Sequence, residues 1–218
     1  MEDVVKEPML MRDRIKAVTT EILIRDGYQG LRFHQISERL GITRGNVHYH
    51  FNNKQELIEI VTVEYVENVI DRFRVIWTDD STTLKQKIEA LLAFHRSRYD
   101  TFNPPGTSGH SWSLISVLRA DRHLLGDKAR NALEQFARSL EKYILTGVGM
   151  EVTAGRLRAD APVQEIMLQF VAIANSAGAL TQDTGSFDKL ADLYLGFYRI
   201  VEHAYGVAKK KEKKAGAD

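Results

Sequence analysis

Apolar residues recur every three or four positions along almost the whole of this 218-residue chain, and only 4 prolines interrupt it. A period near 3.6 commits a segment to an amphipathic helix, whereas a half-buried strand needs strict alternation, which is nearly absent. The fold is therefore expected to be all-α. With 44% hydrophobic residues the chain can bury a sizeable core, enough for one large domain or a small one joined to a larger one.

The same periodicity gives the helices in order. Met11, Ile15, Val18 and Ile22 mark a first helix of about four turns, which Asp26-Gly27-Tyr28 is expected to stop through a left-handed glycine cap. Ile36 and Leu40 form an i, i+4 pair on a short second helix ended by Gly41, and the Thr43 hydroxyl can cap a short third. A fourth begins near Asn53 and carries Leu57, Ile58, Val61, Tyr65, Val69, Phe73, Ile76 and Trp77 before Asp79-Asp80-Ser81 breaks it. At ~1.5 Å per residue it spans more than roughly 30 Å, long enough to link two bodies. Further helices are expected over about 83–99, 112–118, 127–147 or slightly beyond, 163–181 and 187–208, with a loop at Asn103-Pro104-Pro105-Gly106.

The segment from Phe33 to Phe51 joins two short helices through a glycine-containing turn, with apolar residues placed to bury one helix against the other. Such a helix-turn-helix unit sets its second helix in a DNA major groove. Val47 and Phe51, one turn apart, must face the core. At about 100° per residue this leaves Arg44, Gly45, His48 and Tyr49 on the opposite side as a reading face, with Asn46 at its edge. Arg44 suits guanine O6 and N7, Gly45 allows close backbone approach, and His48 and Tyr49 offer rings with polar tips. His50 leans toward the core, either as a packing residue or as a phosphate donor. Lys54, in the first turn of the fourth helix, combines its charge with free backbone N–H groups to grip a phosphate.

These residues carry a family resemblance. Gly27-Tyr28, Ile36-Ser37, Leu40-Gly41-Ile42, Thr43-Arg44-Gly45-Asn46-Val47, Tyr49-His50-Phe51 and Asn53-Lys54-Gln55-Glu56-Leu57 together resemble the N-terminal domain of TetR-family transcription regulators over about the first sixty residues. The resemblance implies a DNA-binding domain of three helices, a fourth helix coupling it to a regulatory core, and two final helices forming a four-helix dimer interface. With the motif positions, it gives His34, Thr43, Arg44, Gly45, Asn46, His48, Tyr49, His50 and Lys54 as DNA-contacting candidates. Two places depart from the usual pattern. Leu31 and Arg32 replace small hydroxylated residues, which removes the usual cap of the second helix and adds a cation near the DNA. His48 stands where tyrosine is common. Both bear on the operator sequence rather than the binding mode.

Beyond about residue 80 only Gly155-Arg156-Leu157-Arg158-Ala159-Asp160 resembles a family feature, the connective loop before the penultimate helix. On the last helix Leu190, Leu193, Tyr194, Phe197, Val201 and Tyr205 make one apolar stripe, while Leu195 and Ile200 make a second. The penultimate helix has Ile166, Met167, Phe170, Val171 and Ala174 on one side, and Ala177 and Gly178 leave room for close approach. One face of each is expected to pack inward and the other against a second copy; burial within one monomer is the alternative. Trp77, Tyr99, Trp112, Phe136, Phe170 and Asn175 are candidates for a largely apolar effector site, although any one of them alone suits ordinary core better.

Other function classes find little support. No phosphate-cradling glycine loop, zinc-binding His-Glu helix or nucleophile elbow occurs, so neither enzyme activity nor a cofactor is expected. His95, His110 and His123 lack metal-ligand spacing on any one helix. A purely architectural DNA binder would not need a body of this size. With no cysteine, no apolar leader and no run of about 18 apolar residues, a soluble cytoplasmic protein without membrane contact is expected. A net charge of +1 puts any nucleic-acid affinity in a local patch. The expected layout is a DNA-binding domain over 1–55, a regulatory and dimerisation domain over 56–208, and a basic disordered tail over 209–218. The expected function is a ligand-responsive regulator, a repressor that binds a near-palindromic operator as a homodimer and is released by a small, mainly apolar effector.

Overall fold

The computed structural model describes residues 10–208, which are helical throughout except for turns, loops and one isolated bridge; the basic tail lies outside the described residues. The helices are α1 (Met11–Gly30), α2 (Phe33–Leu40), α3 (Arg44–His50), α4 (Lys54–Thr78), α5 (Leu84–Phe102), α6 (Leu114–Ala120), α7 (Asp127–Thr153), α8 (Val163–Thr184) and α9 (Asp188–Tyr205), with a 3-10 turn at Arg122–Leu124 between α6 and α7.

Capping side chains set most boundaries of the N-terminal unit. Thr43 Oγ1 accepts the Asn46 N–H at 3.2 Å, and Asn53 Oδ1 accepts the Glu56 N–H at 2.9 Å, so α3 and α4 each start on a satisfied donor. Gly41 ends α2 in the left-handed region, with φ 64° and ψ 35°. At the start of α2, where a hydroxyl cap is missing, the Gln35 side chain reaches back and accepts the Arg32 N–H at 2.8 Å.

Gly27 departs from its expected role. It does not end α1 in a left-handed cap; at φ 68° and ψ −174° it kinks the backbone, and helix resumes to Gly30. Only glycine enters that region without steric cost, and the kink turns the Tyr28 N–H away from its own helix.

Ile15, Ile22, Leu23, Leu31, Ile36, Val47, Phe51, Leu57 and Ile58 are all fully buried and form one core across α1 to α4. From there α4 runs the length of the body along α7, α7 packs on α8, and α8 on α9, while α5 closes against α4, α7 and α9. Gly147 lies inside α7, where an added Cβ would sit 2.7 Å from Trp77 Cε3, so its small size permits the α4–α7 contact. Gly178 does the same for α8 against Ser116 of α6, at 2.6 Å. α9 stops at Tyr205, short of the expected 208: the chain turns back there, with Arg158 N–H donating to Tyr205 O at 2.8 Å and Val207 N–H to Arg156 O at 3.0 Å. The connective loop at 155–160 thus also anchors the chain after α9. That loop is held in turn by Glu151, which accepts both Arg156 Nε at 2.9 Å and Leu84 N–H at 3.0 Å.

Candidate DNA interface and ligand cavity

On α3 the burial pattern separates two faces. Val47 and, just beyond the helix, Phe51 are buried, while Thr43, Arg44, Gly45, Asn46, His48 and Tyr49 are exposed. Tyr49 keeps 85% of its surface, an unusual state for a large aromatic ring unless something outside the monomer covers it. Among the described residues its only aromatic neighbour is His50, centroid to centroid 5.1 Å. His50 is half-buried, and its carbonyl accepts Arg12 Nη1 at 2.6 Å; the Arg12 guanidinium also lies 4.4 Å from the Phe51 ring centre. α1 thereby clamps the C-terminal end of α3.

Beside α3 lies a recess of about 390 Å³ lined by Leu31, Arg32, Phe33, His34, Arg44, His48, Asn52, Asn53 and Lys54. His48 reaches it against the Phe33 ring at 4.8 Å. The Lys54 ammonium sits 4.6 Å over the Tyr28 ring, a cation–π contact that favours its place beside the recess. Burial, and secondarily the nearby Arg32 charge, push the Lys54 pKa down, while Asp121 opposes them. Two cations that raise each other's energy in one concave recess favour an anion between or beside them. His34, Arg44, His48 and Lys54 of the expected site meet here. Arg32 and Asn52 were not among the candidates; the only sequence signal for Arg32 was its departure from the usual hydroxylated residue, and none existed for Asn52.

The six aromatic and polar candidates of the body fall into separate places. Trp112 and Phe136 line an inner cavity of about 40 Å³ with Tyr65, Phe73, Phe94, His95, Arg98, Ser113, Ser116 and Arg119 among others. Trp77 and Phe170 do not reach it: they pack together at 6.0 Å, and Phe170 goes on to Tyr194 and Phe197 in a solid cluster. Tyr99 donates to Gly185 O at 3.1 Å and packs on Phe187, again as core. Asn175 is exposed and lines an outer groove of about 610 Å³ between the end of α1, α6 and α8. Trp112, Ser113, Ser116 and Arg119 line both spaces, so α6 is the wall between them.

That wall is polar at its centre. Arg119 Nη1 donates to Asn175 Oδ1 at 2.7 Å with its guanidinium 5.4 Å from the Phe136 ring centre, and burial pushes its pKa below the usual guanidinium value. Across the cavity Arg98 donates to the Tyr65 hydroxyl and lies over the Tyr65 and Phe94 rings. His95 is buried among Phe73, Phe94 and Trp112, and its Nδ1 has no hydrogen-bond partner among the described residues. Burial and the Arg98 charge push its pKa down to about 3, so it is neutral at pH 7. His110 and His123 are exposed, unlike His95.

α6 also reaches the N-terminal unit. Asp121, at its C-terminal end, accepts the Tyr28 N–H at 2.8 Å, and Tyr28 carries Lys54 on its ring. Sequence periodicity gave no hint of this link, because the partners lie on helices with no register in common.

Comparison with known proteins agrees with this architecture. Residues 15–61 match the family model described as bacterial regulatory proteins, tetR family. Comparison with curated proteins gives no match. Among solved structures, a TetR regulator from Chloroflexus aurantiacus is 20% identical, with 90% of this chain and 96% of that chain covered and a TM-score of 0.71. One from Legionella pneumophila is 18% identical, with 89% and 99% covered and a TM-score of 0.70. A transcriptional regulator from Saccharomonospora viridis, solved with choline, is 19% identical, with 90% and 98% covered and a TM-score of 0.68.

Proposed function

We propose, from the match of residues 15–61 to the tetR family of bacterial regulatory proteins, that this chain is a ligand-responsive repressor, which binds a near-palindromic operator as a homodimer and lets go when a small molecule enters its body. The observation that carries the reading is the exposed face of α3. Tyr49 and its neighbours Arg44, Gly45 and Asn46 are left exposed in the monomer, yet stand with His48 on a two-helix frame beside a cationic recess.

In this reading Arg44 and Asn46 read base edges, Tyr49 and His48 make ring contacts, and Gly45 lets the helix approach. Thr43, His34, His50 and Lys54 hold phosphates, with Arg32 added to them. The division of labour puts residues 1–55 on DNA and 56–208 on effector and partner, with α4 crossing between them as one continuous helix. A DNA-bound regulator of this kind works in the cytoplasm and carries out no chemistry of its own.

The partner is a second copy of the chain. Leu193 and Ile200 on α9, exposed to 44% and 64%, form with Phe197 and with Ile173 of α8 one mainly apolar surface across the two helices, and Leu168 on α8 is itself exposed to 54%. A monomer would leave that surface in water, whereas a two-fold pairing of α8 and α9 covers it. By length and mean hydropathy α8 would also suit a membrane span. Its inner residues Ile166, Met167, Phe170 and Val171 are built into the body, however, and Gln169, Asn175 and Ser176 stand on its outside, so its apolarity serves two protein contacts.

The effector enters by α6, where Trp112 and Phe136 line the inner cavity and Asn175 the outer groove. A chemically unbiased screen provides the test: duplexes are selected from a randomised pool by the full-length protein, and compounds are then scored for weakening that binding. Selection of a two-fold symmetric sequence, and recovery of at least one compound that releases it, is the expected result. Enrichment of no sequence, or of a site without symmetry, would refute the operator reading.

A further inference from the structure

We propose that the effector is an organic acid, a small molecule with one carboxylate and an apolar body, whose carboxylate is taken up at the Arg98–His95–Arg119 side of the inner cavity. This rests on the ligand-responsive reading above and gives that site a chemical class.

Charge comes first. Among the cavity's lining residues there are two arginines and no aspartate or glutamate. Neither Arg98 nor Arg119 has a carboxylate within 4.0 Å among the described residues; each rests instead on aromatic faces and one neutral oxygen, from Tyr65 and Asn175 respectively. Buried or half-buried arginine is ordinarily paired, because the cost of drawing its charge out of water is otherwise unrecovered. Here two guanidinium groups line one small space with their carboxylate partners missing. A carboxylate fits the planar fork of a guanidinium, so an acid supplies what both lack.

The second observation is His95. Its Nδ1 is buried with no partner, in a structure where most buried polar atoms find one. As the Nδ1–H tautomer, a neutral imidazole donates to a carboxylate oxygen without itself needing to be charged. Beside Ser113, Ser116 and the Tyr65 hydroxyl, the rest of the lining, among it Val69, Phe73, Ile115, Phe136 and Ala177, is apolar and suits an aryl or alkyl body.

Size determines how the acid gets in. A cavity of about 40 Å³ has room for little more than water, whereas small-ligand pockets run to roughly 300 Å³ and upward. The acid must therefore displace α6, the thin wall shared with the outer groove of about 610 Å³. That groove carries Asp26 and Asp121 on its wall, which disfavours an anion resting there and leaves the inner arginines as the stable position. Because Asp121 ends α6 and holds Tyr28, the movement that admits the acid also pulls on the DNA-binding unit.

The test uses full-length protein and three acids, benzoate, 3-phenylpropanoate and octanoate, each beside the alcohol and the amine of the same skeleton. Binding is measured by calorimetry at pH 7.5. At least one acid is expected to bind roughly tenfold or more tightly than its alcohol, with its amine weaker still. Arg119→Gln and Arg98→Gln should each reduce that preference toward one without changing alcohol binding, and Arg119→Lys should retain much of it. The melting temperature of each variant without ligand checks that it folds. An amine or alcohol binding as well as its acid would overturn the proposal while leaving a ligand site in place. Failure of all nine compounds would overturn it as well; the ligand-responsive reading itself falls only if the unbiased screen also returns nothing.

Discussion

The Tyr28 backbone N–H donates to the Asp121 carboxylate at 2.8 Å, joining two residues 93 positions apart at the junction between the DNA-binding unit and α6. The bond exists because Gly27 kinks α1 at φ 68° and exposes the Tyr28 donor; an added Cβ at Gly27 would lie 2.9 Å from the same carboxylate oxygen. Tyr28 then supports Lys54. Cavity wall, junction and the phosphate contact proposed for Lys54 are thus consecutive contacts, and under the proposed function a ligand that distinguishes two positions of α6 changes DNA affinity by that difference in binding free energy.

Asp121→Ala should therefore cost about 1 to 3 kcal/mol of stability, since it leaves the Tyr28 donor without its charged acceptor. It should also uncouple the two sites. Effector affinity measured with and without saturating operator, expected to differ by roughly 5- to 150-fold in the native protein, should become nearly equal. An unchanged ratio in a folded variant would remove this junction from the coupling route.

At the DNA, Arg44→Ala should lose roughly 1 to 3 kcal/mol per half-site and relax base preference at one position. Lys54→Ala should weaken every sequence alike and lower the salt slope by about one. Titrations on the selected operator and a scrambled duplex, each over a range of salt, separate the two behaviours.

His95 makes the body acid-sensitive. In the unfolded chain its imidazole takes a proton near pH 6.5, but in the fold only near pH 3, so below pH 6.5 unfolding takes up a proton. Stability is present in full above pH 6.5 and declines as pH falls, by about 1.4 kcal/mol per unit, until about pH 3. The groups facing His95 are Tyr65 of α4, Arg98 of α5 and Arg119 of α6, with no carboxylate among the cavity lining to reverse that sign. Denaturant unfolding at pH 6.5 and 4.5 should show a loss of about 2 kcal/mol from this group, absent in His95→Leu.

Ile200→Asp places a charge at the most exposed apolar position of α9. Ultracentrifugation at micromolar concentration should find the native protein dimeric and the variant monomeric, with helical circular dichroism unchanged. Operator affinity should fall with the dimer, because one recognition helix then reads one half-site.

Much of this protein is local and so is written in the sequence. Helical periodicity, caps such as Thr43 and Asn53, and the left-handed glycine at 41 act over a few residues, and the phase between Val47 and Arg44 already separates the buried face of α3 from its exposed one. What tertiary structure decided depends on which helices meet. Gly147, near the expected end of its helix, serves as a contact for Trp77, and Gly27 reads as a cap but opens a link to Asp121. Trp77, Phe170 and Tyr99 look no different in sequence from Trp112 and Phe136, yet the first three fill core and the other two line a cavity. Aromatic character is a property of a residue, whereas the empty space beside it belongs to the packing of several helices at once, and no periodicity along one helix records it.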